Sequence, residues 1–196
     1  MKFVVQRVIN ASCNIDGECV SSINQGYVVL IGISNEDNEE IADRMIKKLI
    51  NLRIFEDENG KTNLSIDKVG GEMMLISQFT LYANCKKGNR PSFIEAGAPD
   101  EANQLYEYII NEVRSNNIKV ATGKFGADMK ISLINDGPFT ICLDSNELFW
   151  QKRSNGLIYI YVINISLSYR KYVNFTICGI NFICSHNCSY YTNLDI

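Results

Sequence analysis

Histidine is almost missing from this sequence. The single one in 196 residues is His186, so the first 149 residues have no imidazole for a Ser-His-Asp triad or a Cys-His dyad, and no His-rich metal site. Apolar runs of membrane-spanning length are missing too. The opening Met1-Lys2-Phe3-Val4-Val5-Gln6-Arg7 turns polar by its sixth residue and shows neither the apolar core nor the cleavage site of a signal peptide. Positive charge is not in excess. The formal net charge is −3, which argues against a general nucleic-acid coat and confines any such contact to a local patch. The seven cysteines are an odd number without tight repeating spacing, which fits a reduced, cytoplasmic protein better than a disulfide scaffold. No cofactor, metal, membrane or DNA partner is expected. Cys178, Cys184, His186 and Cys188 form a nominal zinc set, but their spacing fits no common finger.

What is present divides into two textures. Residues 1 to about 149 read as one α/β body. Phe3–Val8 and Tyr27–Ile33 are β-rich runs, and Asp16-Gly17 is a hairpin turn. A helix is expected to begin at Asp37 with Glu40 completing a capping box; Ile41, Met45 and Leu49 give it an apolar face. A second helix starts near Pro99-Asp100 and carries the stripe Ala102, Leu105, Ile109, Val113. Met73-Met74-Leu75-Ile76 is wholly apolar, as expected of a buried strand. From Trp150 onward the chain has no Ala, Pro or Glu and is dense in Ile, Tyr, Asn and Ser. Runs such as Leu157–Ile163 are β-prone and sticky. Residues 150–196 read as an atypical tail, a read-through or frameshift product, with a genuine accessory extension as the alternative.

Three segments carry chemistry. Ser77-Gln78-Phe79-Thr80-Leu81 places two hydroxyls and an amide at the end of the apolar strand. Ser77 and Thr80 cannot share a face of a straight strand, so a bend is needed to bring them and nearby backbone N–H groups together. Hydroxyls bonding their own backbone are the ordinary alternative. Lys86-Lys87-Gly88-Asn89-Arg90-Pro91-Ser92-Phe93 joins three cations to an aromatic, a composition that suits phosphate and base contact or simply a solvated loop. Asn135-Asp136-Gly137-Pro138 interrupts two strand-like stretches. Proline gives a ladder no N–H, and glycine before it can present bare main chain. On local grounds an ordinary hairpin turn explains it. Cys85, beside Lys86 and Lys87, is a candidate reactive thiol or a plain surface cysteine.

Together these segments resemble the signatures of the bacterial D-aminoacyl-tRNA deacylase family. So do Gln6-Arg7-Val8 and Gly123-Lys124-Phe125-Gly126-Ala127-Asp128-Met129, and the likeness runs in order from Met1 to about Phe149. The resemblance implies a layered sheet–sheet–helix sandwich, with two main helices on mixed β-sheets, assembled as a homodimer. It implies hydrolysis of the ester joining a D-amino acid, or glycine, to the 3′ end of tRNA. Gly137 and Pro138 would then form a cis pair that enters the partner subunit's pocket and excludes L side chains. Arg7 would help hold that loop, with Phe125 and Met129 near the pocket. Thr80, Ser77, Gln78 and Phe79 would position the ester and stabilise its oxyanion, the ribose 2′-hydroxyl assisting water. Lys86, Lys87 and Arg90 would contact tRNA. Two rival readings stand beside this: a non-catalytic RNA-end or protein-binding module on the same fold, and a different esterase using Thr80 or Cys85.

Overall fold

The computed structural model describes residues 1–149, together with Asn174–Ile177 and Ile180–Ile183. The chain divides into two units, Met1–Trp150 and Gln151–Ile196. In the second, strands β9 (Asn174–Ile177) and β10 (Ile180–Ile183) pair antiparallel. Leu157–Ile163 and the Cys178–Cys188 set lie outside the described residues.

The first unit begins with a long strand, β1 (Lys2–Ile15), which turns through Asp16-Gly17 into β2 (Glu18–Ile23). Both turn residues have positive φ, 52° and 86°, the backbone that a tight hairpin of this hand requires. β3 (Gly26–Gly32) returns along the first half of β1. Helix α1 (Glu39–Ile50) follows, then the short hairpin β4 (Phe55–Glu56) and β5 (Thr62–Leu64). β6 (Glu72–Ser77) lies parallel to β3, and β7 (Val120–Thr122) lies parallel to β6. Between them runs α2 (Pro99–Ser115), with proline at its start as expected. The unit closes with β8 (Lys130–Asp144), paired along the whole of β1, and the short helix α3 (Ser145–Phe149).

The layers follow from which side chains are buried on each face. Tyr27, Val29, Ile31, Met73 and Leu75 point toward α1 and α2, where they meet Met45, Leu49, Leu105, Tyr106, Ile109 and Val113. Val28, Met74 and Ile76 point the other way, onto Ala11 and Cys13 of β1, Ile23 of β2, and Ile131 and Leu133 of β8. β3 and β6 are thus buried on both faces, which is why their sequences show no polar alternation. Each fully buried large side chain contributes about 1.5–3 kcal/mol. The second sheet layer is the far half of β1 with its neighbours, within the same hydrogen-bonded sheet. β2 reaches back to β7 through a bond from Ser21 Oγ to the Thr122 carbonyl, 2.8 Å.

One expectation is corrected. Asn38, not Asp37, caps α1; its side chain accepts from the Ile41 N–H. Asp37 is drawn off instead by the Met1 ammonium, at 2.5 Å, and by the Ser34 N–H, at 2.7 Å. An ammonium is a stronger partner for a carboxylate than a helix N–H, so the cap falls to the next residue. At Asn135–Pro138 the ordinary hairpin turn, the local alternative, does not form: β8 continues through it.

Burial pushes the hydroxyls of Tyr27, Tyr82 and Tyr106 well above the ordinary phenol range. Their neutral forms are favoured in the fold, and Tyr106 donates to the Leu75 carbonyl at 2.7 Å. Unfolded, each would ionise near pH ~10. The stability they contribute is full below that pH and is lost as pH rises through their folded range. In an alkaline titration these three phenols are expected to ionise only as the circular dichroism of the fold collapses. Complete tyrosinate formation near pH ~10 in a still-folded protein would contradict this.

Candidate active site

β6 ends at Ser77, and the chain bends at once. Gln78 leaves the strand with its N–H donated to the Ile31 carbonyl at 2.7 Å, and Phe79–Tyr82 form a single 3-10 turn. The bend takes Thr80 off the line of β6. Gly32 permits it: a Cβ there would sit 2.9 Å from Leu81 Cβ, so the turn can pack against β3 only over a glycine. Gln78 Nε2 donates to Thr80 Oγ1 at 2.6 Å. Ser77 and Gln78 are half-buried, while Phe79 and Thr80 are exposed. Among the described residues the N–H groups of Phe79 and Thr80 have no acceptor. They are the leading donors of a helical turn, which no preceding carbonyl can satisfy.

The basic segment lies against this turn. Asn84 and Ser92 exchange backbone hydrogen bonds of 2.7 and 3.0 Å, closing a loop that carries Lys86, Lys87 and Arg90 in solvent. Phe93 emerges from the loop and meets Phe79 edge-to-face, with ring centres 5.0 Å apart. Two segments separate in sequence thus form one exposed surface of hydroxyls, aromatic rings and cations. Cys85 is exposed in the same loop.

Phe125 packs against Tyr106 on the helix side, with ring centres 6.0 Å apart, whereas Met129 belongs to the core on the opposite face. Each approaches β6 from its own side. Tyr106 bonds the Leu75 carbonyl. The Met129 sulfur fills the space above Gly123, beside Ile76. A cavity of about 250 Å³ lies elsewhere, between the starts of α1 and α2, lined by Ser34, Asn38, Gly97, Glu101 and Leu105 among others. None of the expected site residues reaches it.

Gly137 and Pro138 stand on β8, away from Thr80. Gln6 pairs with Thr140 and Val8 with Asn135, so one residue of β1 faces four of β8. The surplus bulges outward, leaving Gly137 and Pro138 exposed with a cis peptide bond between them. Arg7 holds the start of the bulge. Its guanidinium donates to the Asp136 carbonyl at 3.0 Å, pairs with the Asp136 carboxylate at 3.1 Å, and lies 4.8 Å from the Phe139 ring centre. It also donates to the Ile54 carbonyl at 2.5 Å. Asn135 holds the end: it accepts from the Phe139 N–H at 2.7 Å and donates to the Phe139 carbonyl at 3.2 Å. Sequence reading gave no role to Asn135, Asp136 or Ile54. The available signal was an Asn-Asp pair leading into Gly-Pro, the residue types whose side chains bond nearby backbone in turns.

The described body is thus a mixed α/β fold that exposes a hydroxyl-bearing turn on one strand end and a main-chain bulge on β8. Comparison gives its family. The family model described as D-Tyr-tRNA(Tyr) deacylase matches residues 4–144. A D-aminoacyl-tRNA deacylase of Thermosipho africanus is 50% identical over 149 residues, spanning 76% of this chain and all of the relative. One from Desulfatibacillum aliphaticivorans is 51% identical over 145 residues, covering 74% of this chain and 99% of its own. Among solved structures, one described as c-Myc DNA Unwinding Element Binding Protein is 41% identical, with a TM-score of 0.70 over 74% of this chain and 98% of its own. Another, from work on a probable eukaryotic D-amino acid tRNA deacylase, shares the fold at 18% identity and a TM-score of 0.65. The chain belongs to the D-Tyr-tRNA(Tyr) deacylase family and is a hydrolase of that type.

Proposed function

We propose that this protein hydrolyses the ester bond of D-aminoacyl-tRNA, and of glycyl-tRNA, and rejects the L-ester. The observation that carries the reading is the Phe79–Thr80 turn, whose two leading N–H groups have no acceptor among the described residues, beside a hydroxyl and a basic loop. Water adds to the ester carbonyl, and the oxyanion that forms accepts from the Phe79 and Thr80 N–H groups. The bond to the ribose 3′-oxygen then breaks, and that oxygen takes up a proton. The products are the free amino acid and tRNA. With no histidine before residue 186, proton transfer falls to the neighbouring ribose 2′-hydroxyl, while Ser77, Gln78 and Thr80 position the ester. Lys86, Lys87 and Arg90 take the phosphates of the acceptor end. Phe125 and Met129 back the pocket.

Chirality is tested by exclusion. Main-chain atoms of Gly137 and Pro138 crowd one side of the α-carbon, where an L side chain would project. Sheet register supports a filter acting between subunits of a homodimer. Ser77 lies level with Ile31 and Phe3, whereas the bulge lies level with Arg7. Along the sheet that is about 13 Å down the strands and about 14 Å across them. A second copy can supply what the same chain holds so far away. The protein acts in the cytoplasm, and residues 150–196 are a read-through or frameshift addition to the catalytic body. No helix of the described residues is long and apolar enough to cross a membrane.

A second reading, a non-catalytic module that binds tRNA ends or protein on the same fold, draws on the 41%-identical structure described as c-Myc DNA Unwinding Element Binding Protein. One assay separates the two. Under single-turnover conditions the protein is expected to hydrolyse D-Tyr-tRNA and glycyl-tRNA and spare L-Tyr-tRNA. Thr80→Ala should retain activity within about tenfold, as fits a positioning hydroxyl. Removing the terminal 2′-hydroxyl of the tRNA should stop the reaction. Binding without turnover would leave the module reading. Equal D and L rates would sink the filter.

A further inference from the structure

We infer that Asn135, supported by Gln6, is a positioning residue that sets the aim of the Gly137–Pro138 bulge and thereby the D/L selectivity of the reaction. The inference rests on the proposed filter and adds a residue to it. The bulge spans Asp136 to Phe139 and has two feet. Arg7 fixes the first, through the Asp136 carbonyl and carboxylate. The second has no ladder partner on β1, because Gln6 is already paired with Thr140 and Val8 with Asn135. The Asn135 side chain takes the place of the missing strand. It accepts the Phe139 N–H at 2.7 Å and donates to the Phe139 carbonyl at 3.2 Å, as a neighbouring strand residue would. Its amide also donates to Gln6 Oε1 at 3.3 Å, tying the foot back to β1.

The geometry suits an amide. Phe139 offers one donor and one acceptor to the same side chain, and the planar amide of Asn135 meets them with an acceptor and a donor on separate atoms. Aspartate keeps the acceptor but sets a carboxylate against the Phe139 carbonyl and the Gln6 oxygen. Alanine leaves both Phe139 groups without that partner. With Arg7 holding one foot and Asn135 released, the exposed apex between them can tilt. An exclusion filter depends on placement within a fraction of an ångström, so tilt admits the wrong enantiomer before it abolishes the right reaction.

The test is single-turnover hydrolysis of D-Tyr-tRNA and L-Tyr-tRNA by the full chain, wild type, Asn135→Ala, Asn135→Asp and Gln6→Leu. Loss of folded protein lowers both rates alike and leaves their ratio unchanged, so the ratio reports positioning and not stability. Asn135→Ala is expected to reduce the D/L ratio about tenfold, chiefly through a faster L rate, as befits one or two lost hydrogen bonds. Asn135→Asp should do the same, and Gln6→Leu about threefold. Should Asn135→Ala fail to fold, the Asn135→Asp and Gln6→Leu ratios decide. A wild type that discriminates, with every variant ratio within twofold of it, overturns this inference alone. A wild type that hydrolyses both esters equally overturns the filter itself.

Discussion

Replacing Arg7 by alanine is expected to lower the unfolding free energy by about 3 kcal/mol and the melting temperature by roughly 10 °C. Arg7 is a buried cation that serves several acceptors at once. Its removal strands the Ile54 carbonyl, buried at 2.5 Å from the guanidinium, without a donor. The carboxylate of Asp136 is about one-third exposed and can recover water, which keeps the effect at the lower end for a broken buried pair. The lost contact with the Phe139 ring adds roughly 0.5–1 kcal/mol. Arg7→Lys separates charge from shape. An ammonium keeps the ion pair, but it cannot serve both carbonyls and lie over the ring, so about half the loss should remain. Thermal unfolding of the three proteins at equal concentration measures this. A melting temperature for Arg7→Ala within about 2 °C of wild type would show that the guanidinium is dispensable to the fold. The same variant frees the first foot of the bulge, so its L-ester rate should rise as its stability falls.

The contrast between Arg7 and Asn135 shows where the sequence was legible. The apolar run Met73–Ile76 and the stripes of α1 and α2 are local patterns, and each named its own buried face. The Ser77–Leu81 and Lys86–Phe93 segments were legible as chemistry because their residue types are concentrated within a few positions. Their union through Phe79 and Phe93 was not, since nothing local says that two loops will share an edge-to-face contact. The bulge was open to two local readings for a related reason. Asn-Asp-Gly-Pro has the composition of a turn, and only the long pairing of β1 with β8 overrides it. The cap of α1 slipped by one residue because Asp37 found the Met1 ammonium, a partner 36 positions away in sequence. In each case a long-range contact decided between local options that the chain offers equally.

Gly137→Ala should show most directly whether the bulge acts by its placement, with an expected loss of about 100-fold in the D/L ratio. Gly137 has φ of +149°, a region that L side chains rarely adopt. An added Cβ would also meet the Phe139 nitrogen at 2.7 Å and its Cβ at 3.0 Å. Phe139 is poorly placed to yield. Its N–H is held by Asn135, and its ring lies beside the Arg7 guanidinium. The apex must therefore move. Backbone strain of this kind amounts to about 1–3 kcal/mol, and a displaced apex converts about 3 kcal/mol of lost exclusion into roughly 100-fold in rate ratio. Because the site is exposed, the body should stay folded. Gly60→Ala is the control. Its φ is +70°, nothing lies within 4 Å of a Cβ there, and it sits in the β4–β5 hairpin. That variant carries the milder strain of the left-handed region without a collision and should leave the D/L ratio at the wild-type value. If both variants lose selectivity alike, general loosening explains the result. If only Gly137→Ala does, the position of two main-chain residues on β8 is what distinguishes one enantiomer from the other.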